Sequence, residues 1–112
     1  MGIKIHANKL TNRAKKALYK EISNTQQWGF TTYALDKIQK REIPVEILSK
    51  TIAKGKLVEF HTNKESRRVL LRDDGGTCAV VDLDKQSIIT AYKNHINYNH
   101  PRLDTTKYLF GA

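Results

Sequence analysis

Cysteine is nearly absent from this chain of 112 residues: Cys78 stands alone. A single thiol excludes an intramolecular disulfide and any zinc site built on paired cysteines. Set within Thr77-Cys78-Ala79-Val80-Val81, it reads as a small buried apolar side chain rather than a reactive thiol. Long apolar runs are also missing. None approaches the ~20 residues of a membrane-spanning helix, and the polar stretch Met1 to Leu10 has no apolar signal-peptide core. No membrane association is expected, and the expected location is cytoplasmic. Standard catalytic and cofactor signatures are absent too. Gly75-Gly76 is followed by no Gly-Lys-Ser/Thr, which excludes a P-loop. His95 and His100 have a spacing that zinc sites use, but too few companions to complete one. Asp73, Asp74, Asp82 and Asp84 fall in turn sequences, which turn chemistry explains more simply than a divalent-metal nuclease centre. No metal and no cofactor is expected.

Acidic residues are scarce. Eleven Asp and Glu face twenty Lys and Arg, a net charge of +9. The excess is uneven. Lys4, Lys9, Arg13, Lys15, Lys16 and Lys20 are opposed only by Glu21 within residues 1–30, so this quarter of the chain carries +5. Clustered positive charge points to a polyanionic partner, with nucleic acid first. The apolar fraction of 39% and charged fraction of 28% are ordinary for a globular chain. This length favours one domain with one modest core.

Asn8 to Ser23 reads as a first helix. Leu10, Ala14, Ala17 and Leu18 form a narrow apolar stripe, and Lys9, Arg13, Lys16 and Lys20 form a basic ridge on another face. Like charges at those spacings repel, a cost that an anion lying along the ridge would offset. Residues 23–29 read as a polar connector. Trp28 and Phe30 at its end anchor the junction to a core or offer stacking platforms for bases. Thr31 or Thr32 then caps a second helix running to Arg41, with Ala34, Leu35 and Ile38 inside and Lys37, Lys40 and Arg41 outside. A third helix starts at Ile43-Pro44, with Pro44 at the first position. It repeats Val45, Leu48 and Ile52 and stops at Gly55.

Beyond Gly55 the period shortens to that of strands: 56–62, 67–72, 77–83 and 87–92, separated by short turns of which Asp73-Asp74-Gly75-Gly76 is the strongest. The expected fold class is α+β, with N-terminal helices packed on a four-stranded antiparallel meander. The tail beyond Lys93 is polar, and its Tyr108-Leu109-Phe110 is a candidate docking segment.

Alternation puts Arg68 and Arg72 on one face of the second strand of this meander, and Thr90, Tyr92 and Asn94 on one face of its last. Where the two faces coincide, guanidiniums, a hydroxyl, a phenol and an amide suit the grip of a phosphate. Metal-free RNA cleavage also needs a base for the 2′-hydroxyl and an acid for the leaving oxygen, and His61 and His95 are candidates for that proton chemistry.

Phe30-Thr31-Thr32-Tyr33-Ala34, followed by Lys37, Arg41 and Ile43, resembles a bacterial and phage signature. That signature runs Phe-Thr-x-His-Ala, then Arg, then Arg-Gly-Ile. Arg67-Arg68-Val69-Leu70-Leu71-Arg72, Val80-Val81-Asp82-Leu83 and Ile88-Ile89-Thr90-Ala91-Tyr92-Lys93-Asn94 look like its strands, and the resemblance covers about residues 30–95. Proteins of this kind are similar to the barnase/EndoU/colicin/RelE group of small metal-independent ribonucleases, many of them toxins. The resemblance implies helices on a twisted four-stranded sheet, RNA bound across that sheet, and an active centre among Tyr33, Arg68, Arg72, Thr90, Tyr92 and Asn94. The chain departs from the signature at Tyr33, where the signature has His, at Lys37 in place of an Arg, and at Glu42 in place of Gly. A phenol is a poor general base unless its surroundings change it strongly.

Two functions follow as expectations. The first is a metal-independent endoribonuclease of the toxin type, with an immunity protein or antitoxin as partner. The second is a non-enzymatic phage or mobile-element protein that binds nucleic acid or inhibits a host nucleoprotein complex. In either case Lys9, Arg13, Lys16, Lys20, Lys37 and Arg41 are the expected nucleic-acid contacts.

Overall fold

The computed structural model describes residues 3–93. Asn94, His95, His100 and the Tyr108-Leu109-Phe110 segment lie outside the described residues. The chain runs through β1 (Ile3–His6), a 3-10 turn (Ala7–Lys9), α1 (Asn12–Asn24), β2 (Gly29–Phe30), α2 (Thr32–Lys40) and α3 (Val45–Lys54). The strands β3 (Lys56–Thr62), β4 (Arg67–Arg72), β5 (Thr77–Asp82) and β6 (Ser87–Lys93) follow. The α+β class holds.

The sheet differs from expectation. Among the described residues its strand order is β1-β3-β4-β5-β6-β2, six strands rather than four. The antiparallel meander β3–β6 forms its middle. β1 adds to β3 antiparallel, and β2 adds to β6 parallel, so the sheet is mixed. Both additions were hidden for physical reasons. β1 holds only four residues within a stretch that reads as polar, and β2 only two, too few for a period to register. Pairing with an established neighbour, not intrinsic preference, makes them strands. The Gly29 and Thr31 amides donate to the carbonyls of Gln86 and Ile88 at 2.9 and 3.1 Å, stitching the supposed connector to the sheet.

The helix starts follow their caps. Thr11 accepts from the Ala14 amide at 3.1 Å, so α1 begins at Asn12 and not at Asn8. Lys9 therefore stands on the preceding 3-10 turn, and the basic ridge of the helix itself is Arg13, Lys16 and Lys20, all exposed. Ala17, expected on the apolar stripe, is exposed, whereas Leu18 and Ile22 are buried. Thr31, not Thr32, caps α2: its hydroxyl accepts from the Ala34 amide at 3.0 Å and lies 3.2 Å from the Ile89 carbonyl oxygen. Pro44 is the N-cap of α3 rather than its first residue.

All three helices pack on one face of the sheet. Leu18 and Ile22 of α1, Ala34 and Ile38 of α2, and Leu48 and Ile52 of α3 meet Val69, Leu71, Ala79, Val81, Ile88 and Ala91 in one core. Trp28 packs against this core as an anchor, while Phe30 is 42% exposed. The far face carries a smaller cluster of Val58, Leu70 and Cys78 with Val80 and Tyr92. Burial pushes the Cys78 thiol up to about 12, in line with an inert core cysteine.

Two bulges decide which side chains reach the far face. In β3 the register shifts between Leu57 and Glu59, with Val58 as the extra residue. Leu57 and Phe60 consequently belong to the helix-side core, while Val58, Glu59 and His61 stand on the far side. In β6 the pairing passes from Ile88 to Thr90, leaving Ile89 over. Ile88 and Ala91 thereby both face the helices, and Tyr92 faces away.

Candidate functional site

On the far face, Lys4, His61, Arg68 and Asp82 form one cross-strand row: Lys4 pairs with His61, His61 with Arg68, and Arg68 with Asp82. Glu59 stands two residues before His61, about 7 Å along β3 at the strand rise of ~3.4 Å. Lys4, Glu59, His61, Arg68 and Tyr92 line a concavity of about 270 Å³, with Leu70 and Val80 as its apolar floor. Glu59 is 6% exposed and His61 is half-buried. Neither Glu59 nor Tyr92 is without a partner.

Asp82 underpins this row. Its side chain is wholly buried, and Oδ1 accepts from the amides of Asp84 and Lys85, each at 3.0 Å. Its Oδ2 lies 3.9 Å from Arg68 Nε, and among the described residues neither atom has a hydrogen-bond partner. Charge therefore holds the pair without a direct hydrogen bond. The Arg68 side chain is 38% exposed, so one side faces the buried carboxylate and the other the concavity.

The faces of β4 and β6 do coincide, as the phosphate-gripping constellation requires. Leu70 pairs with Val80, which pairs with Thr90; Arg72 pairs with Cys78, which pairs with Tyr92. The two arginines nevertheless serve different places. Four residues of strand separate them by about 13 Å. Arg72 is 8% exposed and lines a second concavity at the end of the sheet, not the one that Arg68 lines.

Tyr33, Lys37, Arg41 and Thr90, all expected site residues, also lie elsewhere and line neither concavity. Tyr33 is 53% exposed on α2, with Lys37 Nζ 5.3 Å above its ring centre in a cation–π contact. Arg41 does meet Thr90, but as a brace: its Nη1 donates to the Ala91 carbonyl at 2.9 Å and to Thr90 Oγ1 at 3.3 Å, fastening the end of α2 to β6. Arg67, beside Arg68, is a brace as well. It bonds Glu21 of α1 at 2.6 and 3.0 Å and Asp84 of the β5–β6 turn at 2.7 and 3.0 Å. The Asp84 carboxyl is accordingly held below its usual range, chiefly by the Arg67 side-chain hydrogen bonds.

Lys4 and Glu59 escaped the sequence reading. Lys4 sits on a strand too short to recognise, and alternation counted from Leu57 puts Glu59 on the helix side. One signal was present: adjacent apolar Leu57 and Val58 break the alternation and mark a bulge. Among the described residues no group of three or more His, Cys, Asp or Glu side chains is placed to hold a metal ion, and no helix is long and apolar enough to cross a membrane. No family model, no curated protein and no solved structure matches this chain.

Proposed function

We propose that the protein is a metal-independent endoribonuclease whose active centre is the far-face concavity. The observation that carries this reading is the Lys4–His61–Arg68 row with Glu59 beside it: a carboxylate, an imidazole and two cations lining one concavity on a sheet. These are the groups that cleavage by the neighbouring 2′-hydroxyl requires. Glu59 takes the proton of the 2′-hydroxyl, and the freed oxygen attacks the adjacent phosphorus. His61 donates a proton to the departing 5′-oxygen. Lys4 and Arg68 stabilise the negative charge that builds on the non-bridging oxygens. The products are a 2′,3′-cyclic phosphate and a 5′-hydroxyl end. Tyr92 offers a ring beside the phosphate for a base to stack on.

The test is incubation of the purified chain with a labelled single-stranded RNA in EDTA. Discrete fragments ending in cyclic phosphate are expected, lost by a factor of about 10² or more in His61→Ala. RNA left intact under all conditions refutes the assignment.

One observation favours a second reading. Arg13, Lys16 and Lys20 are exposed on α1, whose apolar residues pack on the opposite sheet face from His61. A basic helix on that side serves a non-enzymatic protein that binds nucleic acid or docks on a host nucleoprotein complex. Intact RNA combined with tight, salt-sensitive binding would select it.

A further inference from the structure

At the end of the sheet that Arg72 reaches, a second concavity of about 640 Å³ opens between α3, the β4–β5 turn and the last residues of β6. Its rim carries Lys50 and Lys54 of α3, Lys56 of β3 and Lys93 of β6, all exposed, and Arg72 lies in its floor. Against these five cations stand Asp73 and Asp74. Asp73 is engaged in the fold: its Oδ1 accepts from the Thr77 amide at 2.8 Å, and its Oδ2 lies 3.1 Å from the Thr51 hydroxyl.

That hydroxyl also lies 2.8 Å from the Ile47 carbonyl, so its single proton is shared between two acceptors and fastens the β4–β5 turn to α3. The same wall is closed by Gly55, where a Cβ would stand 2.2 Å from the Thr51 carbonyl oxygen and 3.2 Å from that of Arg72. The cleft is thus walled by elements in direct contact, and its lysines extend from a scaffold that holds its shape. Lys50 and Lys54 are one helical turn apart on the same face, where like charges repel. That arrangement becomes favourable when anions are spaced along the face, as successive phosphates of an extended strand are.

We infer that this cleft is a phosphate-backbone site that holds a single nucleic-acid strand away from the His61 centre, with Lys50, Lys54, Lys56 and Lys93 as the contacts. The inference takes its ligand from the RNA reading above but needs no cleavage. None of these four lysines belongs to the basic ridge of α1 or to the far-face row.

The experiment measures binding alone. His61→Ala protein is titrated into a fluorescein-labelled single-stranded RNA in EDTA, and anisotropy gives Kd over a series of salt concentrations. The same titration follows with Lys50→Gln and Lys54→Gln added. Removing two phosphate contacts from a single strand lowers the slope of log K against log salt by about 1.4, and raises Kd roughly tenfold at moderate salt. Thermal unfolding reports the fold, and relief of the repulsion leaves the melting temperature equal or higher. An unchanged slope and Kd overturn the inference, as does failure of the parent protein to bind RNA. A parallel titration with inorganic phosphate and with AMP identifies the other source of a phosphate: saturable binding of either that the lysine changes abolish, with RNA binding unaltered, also overturns it. Binding that follows the lysines in a protein that never cleaves RNA refutes the catalytic reading and leaves this one standing.

Discussion

Glu59 and His61 stand on the same face of β3 by the ordinary alternation of a strand, and the extra residue Val58 lets Leu57 and Phe60 both face the helices without turning that pair inward. The carboxylate therefore stands on the imidazole's side of the sheet, next to the cations of β1 and β4.

Separate substitutions of the two groups follow from that relationship. Glu59→Gln is expected to lower RNA cleavage by about 10² to 10⁴, with His61→Ala in the same range. Tyr33→Phe is expected to cut at close to the parent rate, because Tyr33 pairs with Lys37 away from the concavity. Single-turnover rates on one RNA check all three. A Tyr33→Phe protein that fails to cleave would move the active centre to α2.

Arg67 joins α1 to β4 and to the β5–β6 turn through Glu21 and Asp84. Its side chain is 38% exposed. Solvent screening therefore limits the loss in Arg67→Met to about 1 kcal/mol, measured by urea unfolding. The pH dependence has a definite sign. The folded Asp84 carboxyl titrates below its ordinary value, so its contribution is complete above about pH 4 and disappears as pH falls through the folded value. The stability gap between parent and Asp84→Asn should be constant from pH 7 to 5 and close below 4. A gap that widens on acidification would contradict the pairing.

Cys78 supplies the opposite dependence. Its folded thiol titrates at about 12, against about 8.5 in an unfolded chain. The unfolded state therefore loses its proton first as pH rises. Stability should be unaffected below about pH 8.5 and decline above it, by at most about 1.4 kcal/mol per pH unit from this group. The difference between parent and Cys78→Ala, followed by denaturant unfolding from pH 7 to 10, isolates the effect. At neutral pH the folded protein should resist iodoacetamide, and the unfolded chain should react.

Two backbone positions invite contrary substitutions. Gly55 has an extended conformation open to any residue, yet a Cβ there would meet the Thr51 carbonyl oxygen at 2.2 Å. Gly55→Ala should cost on the order of 2–3 kcal/mol through steric displacement of α3 from β4. Glu42 follows α2 with φ of 53°, the left-handed region where glycine carries no Cβ penalty. Glu42→Gly should stabilise by roughly 0.5–1 kcal/mol. Thermal melts of the two variants should move in opposite directions.

The sequence by itself determined the elements whose signals are local. Helical spacing, with a Thr cap for α2 and with Pro44 and Gly55 for α3, located both helices to within a residue or two. Turn residues located the four meander strands, and the Thr77–Val81 context marked Cys78 as buried. Charge counting exposed the basic ridge, apart from placing Lys9 on the helix. Tertiary structure alone decided the rest, because those features depend on partners distant in the chain. β1 and β2 exist as strands only by pairing with β3 and β6. The bulges at Val58 and Ile89 set which residues face away from the helices, and pattern reading with a strict period of two cannot place an extra residue. Sequence reading grouped Arg68 with Arg72 by face. Distance along the strand separates them, giving Arg68 to the His61 concavity and Arg72 to the lysine cleft. Arg41 and Arg67 look like solvent-facing cations in the sequence; they are braces because Thr90, Ala91, Glu21 and Asp84 come within hydrogen-bonding reach only when the chain folds.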